Sequence, residues 1–238
     1  MRQDSPSTSS QRSGAPRQWP LMAAIAFLAL LLVGHVLVVG AAPPDASASA
    51  DQVRAYFHDH DSGIRLMAWM TIIAMVPFAV LAAWLRQQVR GIARDVLLLG
   101  TAAYVIEETV WQWISAGLAL HPDQLDPHTA RTLVDISAYA GPMLTAAVVL
   151  LAAPIAWACL RRENDAPAWF GWLTVLVVAE QTVESVTMLG TSGFIAPGGT
   201  LNFPIGAGLF VLWVVACGAV FPSRPMAPTV ADHGSSRA

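Results

Sequence analysis

Val96-Leu97-Leu98-Leu99-Gly100-Thr101-Ala102-Ala103-Tyr104-Val105-Ile106-Glu107-Glu108-Thr109-Val110-Trp111-Gln112-Trp113 decides the class of this chain. It is an apolar run of membrane-spanning length with two adjacent carboxylates near its centre and no Arg or Lys. A second run, Ala168 to Leu189, carries Glu180 and Glu184 in the same way, so four of the five glutamates lie inside apolar segments. A carboxylate at the centre of a bilayer costs at least ~2.5 kcal/mol and normally faces a bundle interior or a water-filled cavity. The sequence therefore points to a polar site inside a membrane bundle.

Composition agrees. With 55% hydrophobic and 12% charged residues over 238 positions, and a mean hydropathy of +0.53, the chain is not a soluble domain around a single core. Six apolar stretches stand out: Leu21 to Ala42, Leu66 to Leu85, Val96 to Leu120, Ala138 to Leu160, Ala168 to Leu189 and Pro204 to Phe221. Each is close to the ~20 residues that a spanning helix needs. Runs of this length without period-2 alternation read as helices rather than barrel strands, because lipid offers backbone groups no hydrogen-bond partner. The expected fold is all-α, a bundle of six transmembrane helices over residues 21–222, with a leader at 1–20 and a tail at 223–238 whose Ser, Pro, Gln and Arg content reads as disordered.

The arginines set the orientation, since the chain has no lysine. Arg2, Arg12, Arg17, Arg86, Arg90, Arg94, Arg161, Arg162, Arg224 and Arg237 fall on one side, and only Arg54, Arg65 and Arg131 on the other. Ten against three places both termini in the cytoplasm of a multi-pass cell-membrane protein. The net charge of -3 implies no strongly charged partner, and nothing points to nucleic acid. The first run, at 22 residues, is longer than the ~7–15 of a secretory signal, so it is expected to stay as a helix despite a cleavage-like Ala46-Ser47-Ala48. Cys159 and Cys217 read as free thiols on the reducing side, with no CxxC pair to hold zinc.

The outer connections carry most of the histidine. His58, His60 and Asp61 in the first, with His121 in the second, make a candidate divalent-metal set, since imidazole and carboxylate both suit zinc-like ions. The competing reading is local: Asp61-Ser62 and Asp126-Pro127 look like caps that start the second and fourth spans before the lipid boundary. The third connection, Gly190 to Phe203, is uncharged and reads as an apolar cap or a flexible turn.

Helical spacing sharpens the intramembrane signal. Tyr104, Glu108, Trp111, Gln112 and Ser115 share one face of span three with Glu107 at its margin, while Glu180, Glu184, Thr187 and Thr191 share one face of span five with Gln181 beside them. Glu107 and Glu180 lie ~16–18 Å from the starts of their helices, hence near the midplane, and His35 of span one sits near the depth of Glu184. The two stripes are expected to face each other, with the two helices in contact. Glu107-Glu108-Thr109-Val110 and Glu180-Gln181-Thr182-Val183 are 73 residues apart, an offset shared by Trp84 and Trp157 and by Met70 and Met143. A repeated hairpin of the parallel kind would place a site at the repeat interface; chance likeness of two apolar helices is the alternative.

No basic side chain lies in any span, and desolvation and mutual repulsion both oppose four ionised carboxylates. The site is therefore expected to hold protons or a cation, with Tyr104, Gln112, Gln181 and His35 as hydrogen-bonding neighbours. The plainer alternative is that these groups only join helices. Interhelical hydrogen bonds average just ~0.6 kcal/mol, however, and Ser or Thr would serve at lower cost.

Enzyme signatures are lacking: there is no HExxH, GxSxG or Walker loop, and the residues three after the glutamates, Val110, Trp111, Val183 and Thr187, exclude the Glu-x-x-His of di-iron bundles. A membrane-embedded acid/base enzyme stays open, but no nucleophile or cofactor is identified.

The runs Asp126-Pro127-His128-Thr129-Ala130-Arg131-Thr132-Leu133, Ala166-Pro167-Ala168-Trp169-Phe170-Gly171-Trp172-Leu173, Ser192-Gly193-Phe194 and Phe210-Val211-Leu212-Trp213 resemble an actinobacterial group of small six-span membrane proteins of unknown function. The resemblance covers most of residues 21–222 and implies a bacterial integral membrane protein, but transfers no activity. Two function classes follow. One is a proton- or cation-coupled permease for a small molecule, with a homodimer as companion because six spans are few for a monomeric transporter. The other is a non-catalytic accessory or sensor protein in which the buried polar residues only hold helices together.

Overall fold

The computed structural model describes residues 18–40, 43–44, 47–191, 193–197, 199 and 201–221, without the side chains of 37 and 202–204. The leader before residue 18, the tail after 221 and Ala46 of the cleavage-like triplet lie outside the described residues.

Eight α-helices run in the order α1 Trp19–Leu32, α2 Ala50–Asp59, α3 Asp61–Leu85, α4 Ala93–Leu118, α5 Pro127–Ala138, α6 Ala140–Leu160, α7 Ala168–Glu184 and α8 Gly208–Val220, and there is no strand among the described residues. The apolar runs became the long helices, with edges shifted by a few residues. α1 continues as a π-helical segment, Val33–Val38, and α8 is entered through another, Leu201–Ala207. Pro77 and Pro154 sit inside α3 and α6, as membrane helices tolerate when neighbours re-satisfy the freed carbonyls.

Four segments are long and apolar enough to cross a membrane: Trp19–Val36, Asp61–Gln88, Pro127–Leu160 and Ala168–Leu189. Ile205–Val220 is a shorter apolar helix. α4 has the length, 26 residues, but its two glutamates and Gln112 lower its hydropathy. The architecture is that of a helical membrane protein.

The long helices close into a ring: α1 packs on α3, α3 on α4, α4 on α6, α6 on α7, α7 on α8, and α8 back on α1. Small residues allow the tight crossings. A Cβ on Gly100 would lie 2.8 Å from the Ala147 carbonyl of α6, and one on Gly218 would lie 2.9 Å from Ala24 Cβ of α1. The ring's outer surface is apolar, with Val76, Ile106, Trp113, Trp172 and Leu212 exposed.

α2 and α5, which the sequence reading treated as connections, are short amphipathic helices that pack together over one end of the ring. Val53 and Phe57 of α2 join Val39, Ile64, Leu118, Ala119 and Ala130 in a second small core. Ser49 and Gln52 cap α2 reciprocally, and Asp126 accepts from the Thr129 N–H at 2.8 Å to start α5, at the head of the Pro127–Leu160 segment as the sequence reading expected. Asp61 departs from the capping expectation. It is the first residue of α3 and pairs with Arg65, and the preceding His60 offers no side-chain cap. Arg54 donates to the Pro122 and Asp123 carbonyls and Arg131 to Ala48, which ties the cap together. Trp19, Trp84 and Phe221 meet at the opposite end, near the arginines of the α3–α4 turn.

Candidate functional site

An aromatic cluster fills the middle of the ring. Phe27 of α1, Phe78 of α3, Tyr104 of α4 and Phe210 of α8 meet with ring centroids 4.7–6.5 Å apart, and Trp213 follows at 5.9 Å from Phe210. Trp213 Nε1 donates to Thr174 Oγ1 of α7 at 3.1 Å, so α7 is keyed to the same cluster. Toward the arginine end the interior is apolar, with Leu81, Leu85, Leu97, Leu151, Ile155 and Phe170 fully buried.

Toward the cap end the interior turns polar. On α4, Glu108 lies one turn beyond Tyr104 and Gln112 one turn further, both buried. On α7, Gln181 donates its amide Nε2 to Glu180 Oε2 at 2.9 Å and to Glu184 Oε2 at 2.6 Å, so one donor bridges two carboxyl groups. The π-helical segment that leads into α8 brings Gly206 to this level. Gly206, one turn before Phe210, lets the backbone approach so closely that a Cβ there would collide with Glu184 and lie 3.2 Å from Glu180 Oε1.

Helical arithmetic places both stripes at one depth. Glu108 is four residues beyond Tyr104 and Gly206 four before Phe210, and those two rings stack. Glu180 is six residues beyond Thr174 and Gly206 seven before Trp213, and those two are hydrogen bonded. Glu180 and Glu184 of α7 therefore lie against Gly206, and Glu108 of α4 stands level with it, on the cap side of the aromatic cluster. The two helices do not pair as the sequence reading expected. α6 stands between them and packs extensively on both, because Gly100 and Gly171 give it closer approach than a stripe of carboxyl groups could.

Many polar atoms here lack a protein partner. Glu107 Oε2, Glu180 Oε1, Thr71 Oγ1 and Thr187 Oγ1 are buried without a hydrogen bond. Such atoms are rare in native interiors and each calls for an explanation. Two of them stand at the 73-residue offset: Glu107 and Glu180 correspond, and each keeps one orphaned oxygen. Leu97 and Phe170, Thr101 and Thr174, Tyr104 and Val177, and Glu108 and Gln181 are buried pairs at the same offset. Thr101 and Thr174 even bond back alike, to the Leu97 and Phe170 carbonyls, both at 2.8 Å.

His35 lies apart from this set. Its Nδ1 bonds the Leu31 carbonyl at 2.9 Å, in the π-helical segment that packs on α3. The outer metal candidates have other partners: His58 contacts Asp59 and Asp123, His60 stacks on Tyr56 and bonds its carbonyl, and Asp61 pairs with Arg65. His121 begins the 3-10 turn Pro122–Gln124. Among the described residues no three His, Cys, Asp or Glu come together as a metal site, either here or around the buried glutamates. Cys159 and Cys217 are free and buried.

Sequence reasoning missed Gly206, Phe210 and Thr71. The small run Gly206-Ala207-Gly208 opposite an acidic stripe was the available signal for the first; Phe210 and Thr71 carry no local signal, since only the ring arrangement brings them to the site.

Comparison with known proteins found no matching family, no matching curated protein and no matching solved structure. The site's chemistry must be argued from its own residues.

Proposed function

We propose that this chain is a bacterial plasma-membrane protein with six spans, namely α1 with its π-helical extension, α3, α4, α6, α7 and α8, and with both termini in the cytoplasm. α4 and the short α8 complete the count because both belong to the closed ring. Its role is that of a proton- or cation-coupled permease for a small molecule, working as a homodimer, with the glutamates of α4 and α7 as the coupling groups.

One observation carries this reading: Glu107 and Glu180, 73 residues apart, each hold a buried, unpartnered carboxylate oxygen in a ring whose apolar stretches contain no basic residue. A helix-joining role would pair those oxygens with donors from neighbouring helices. Sites built to load and release a charge keep such acceptors open, and intramembrane ionisable groups mark ion and proton pathways. The aromatic cluster lies between the site and the arginine end, and the α2–α5 cap lies over the other, so access to the site on either side would require one of them to move.

The test is reconstitution in liposomes with a pH-sensitive dye inside. A proton or cation flux that depends on the protein and vanishes in Glu180→Gln, with the variant still folded, supports the permease. Equal flux in Glu180→Gln and the native chain overturns it.

A further inference from the structure

The end of the ring away from the α2–α5 cap carries Arg86, Arg90 and Arg94 in and after the α3–α4 turn, and Arg161 and Arg162 in the α6–α7 turn. The two turns are joined, because Asn164 Nδ2 donates to the Gln88 carbonyl at 3.3 Å. Arg86 and Arg90 lie two residues either side of Gln88, and Arg162 two before Asn164, so at most ~7 Å of chain separates each from that junction. Charge alone would serve orientation, but three details ask for more. Arg162 holds φ +55 just past α6, with its N–H on the Cys159 carbonyl at 3.0 Å and the Glu163 N–H on the Ala158 carbonyl at 2.9 Å. This is the helix-ending motif whose left-handed position favours glycine, so an arginine there costs strain that glycine avoids. Arg86 Nε is buried without a hydrogen bond. Arg161 lays its guanidinium carbon 4.1 Å from the ring centroid of Trp157, a side chain 55% exposed on a membrane-spanning helix. A cation is thus held against a tryptophan at the boundary of the apolar surface instead of reaching into water.

We propose that this junction of the two turns binds the phosphate of an anionic phospholipid headgroup, with Arg162 and Arg86 as its guanidinium ligands. Planar N–H forks match phosphate oxygens, which explains why an arginine occupies the strained position that a glycine would fill at lower cost. The acids of the same turns, Asp95, Glu163 and Asp165, are outnumbered by the five arginines, so the junction stays positive. A free phosphate offers the same oxygens but nothing to lie on the apolar surface beside Arg161 and Trp157. The acyl chains of a lipid cover that surface, and basic groups at the boundary of a helical bundle suit such headgroups. The site is separate from the buried glutamates and does not depend on the permease reading.

Phosphatidylglycerol, phosphatidylcholine with the same chains and inorganic phosphate are the probes, each titrated into the full-length protein in neutral detergent while thermal unfolding is followed by tryptophan fluorescence. Phosphatidylglycerol should raise Tm saturably, and the other two should not. Arg162→Gly, which relieves the left-handed position, should unfold no earlier than the native chain without lipid, yet lose about half or more of the phosphatidylglycerol shift. A misfolded variant cannot give that pattern. Arg161→Lys, which keeps the charge but loses the planar group stacked on Trp157, should raise the lipid concentration at half-shift about threefold or more. No phosphatidylglycerol shift in the native chain, an equal shift in Arg162→Gly, or an equal shift with phosphatidylcholine would overturn the proposal. A shift with inorganic phosphate alone would overturn it as well, since the ligand would then be a soluble anion.

Discussion

Tyr104 of α4 stacks on Phe210 of α8, with ring centroids 5.4 Å apart and planes within 24° of parallel. Two helices far apart in sequence are thereby locked at a common height, and everything on the cap side of that contact is set by counting turns from it. Glu108 and Gly206 come level one turn beyond it, and Gly206 in turn touches the acids of α7. The stack separates an apolar half of the bundle from a polar half.

Gly206 is the residue whose replacement should distort the site most directly. A side chain there meets Glu184 and Glu180, so Gly206→Val is expected to cost about 1–3 kcal/mol of stability, as overpacking does. Gly208→Ala, where a Cβ meets nothing within 4 Å, is the control and should be close to neutral or slightly stabilising. Thermal unfolding in detergent checks both, and equal destabilisation by the two changes would show that the close approach at Gly206 is not formed.

The cap should be firmest in mildly acid solution. Its hydrogen bond to Asp59, with the Asp123 carboxylate nearby, holds His58 above its ordinary value of 6.5. The stability from that group is complete below 6.5 and is lost as pH rises through the raised value. Asp126 behaves oppositely: the Thr129 backbone N–H holds it below its ordinary 3.8, so its contribution is present above 3.8 and lost as pH falls through the lowered value. Hydrogen-exchange protection of α2 and α5, taken relative to the intrinsic rate at each pH, should therefore be highest between these limits, and His58→Asn should remove the loosening at the upper one. No change at high pH in the native chain would contradict the α2 contact to Asp123.

Much of the fold was legible from hydropathy alone. The run Ala168 to Leu189 matches α7 and the 3-10 turn Ser185–Leu189 that follows it, because nothing but a helix satisfies an apolar backbone in lipid. The polar face of α4 was equally plain, since Tyr104, Glu108 and Gln112 are spaced by whole turns and all three are buried. Neighbour order was not legible. Periodicity tells which face of a helix is turned inward but not which helix it meets, and α6, whose apolar surface has no directional pattern, took the place between α4 and α7. The cap helices were hidden for a different reason: α2 and α5 are too short and too polar to signal in a spanning-length window, and their burial depends on long-range ties such as Arg131 to the Ala48 carbonyl at 2.7 Å.

Orientation is open to labelling. The proposed six spans assign ten of the thirteen arginines to one side, so a single cysteine placed beside Arg90 should be protected from an impermeant thiol reagent in intact cells, and one beside Asp59 should react. Cys159 and Cys217 are buried and should give little background. The reverse pattern would invert the topology and place the cap in the cytoplasm.

The buried glutamates are expected to carry protons or a bound cation rather than stand as free negative charges, and infrared difference titration of the protein in lipid reads that state. A protonated carboxyl band between about pH 6 and 8 in the ligand-free protein, displaced when a cation binds, is the expected result. Fully ionised glutamates across that range, with no bound ion by elemental or mass analysis, would contradict it.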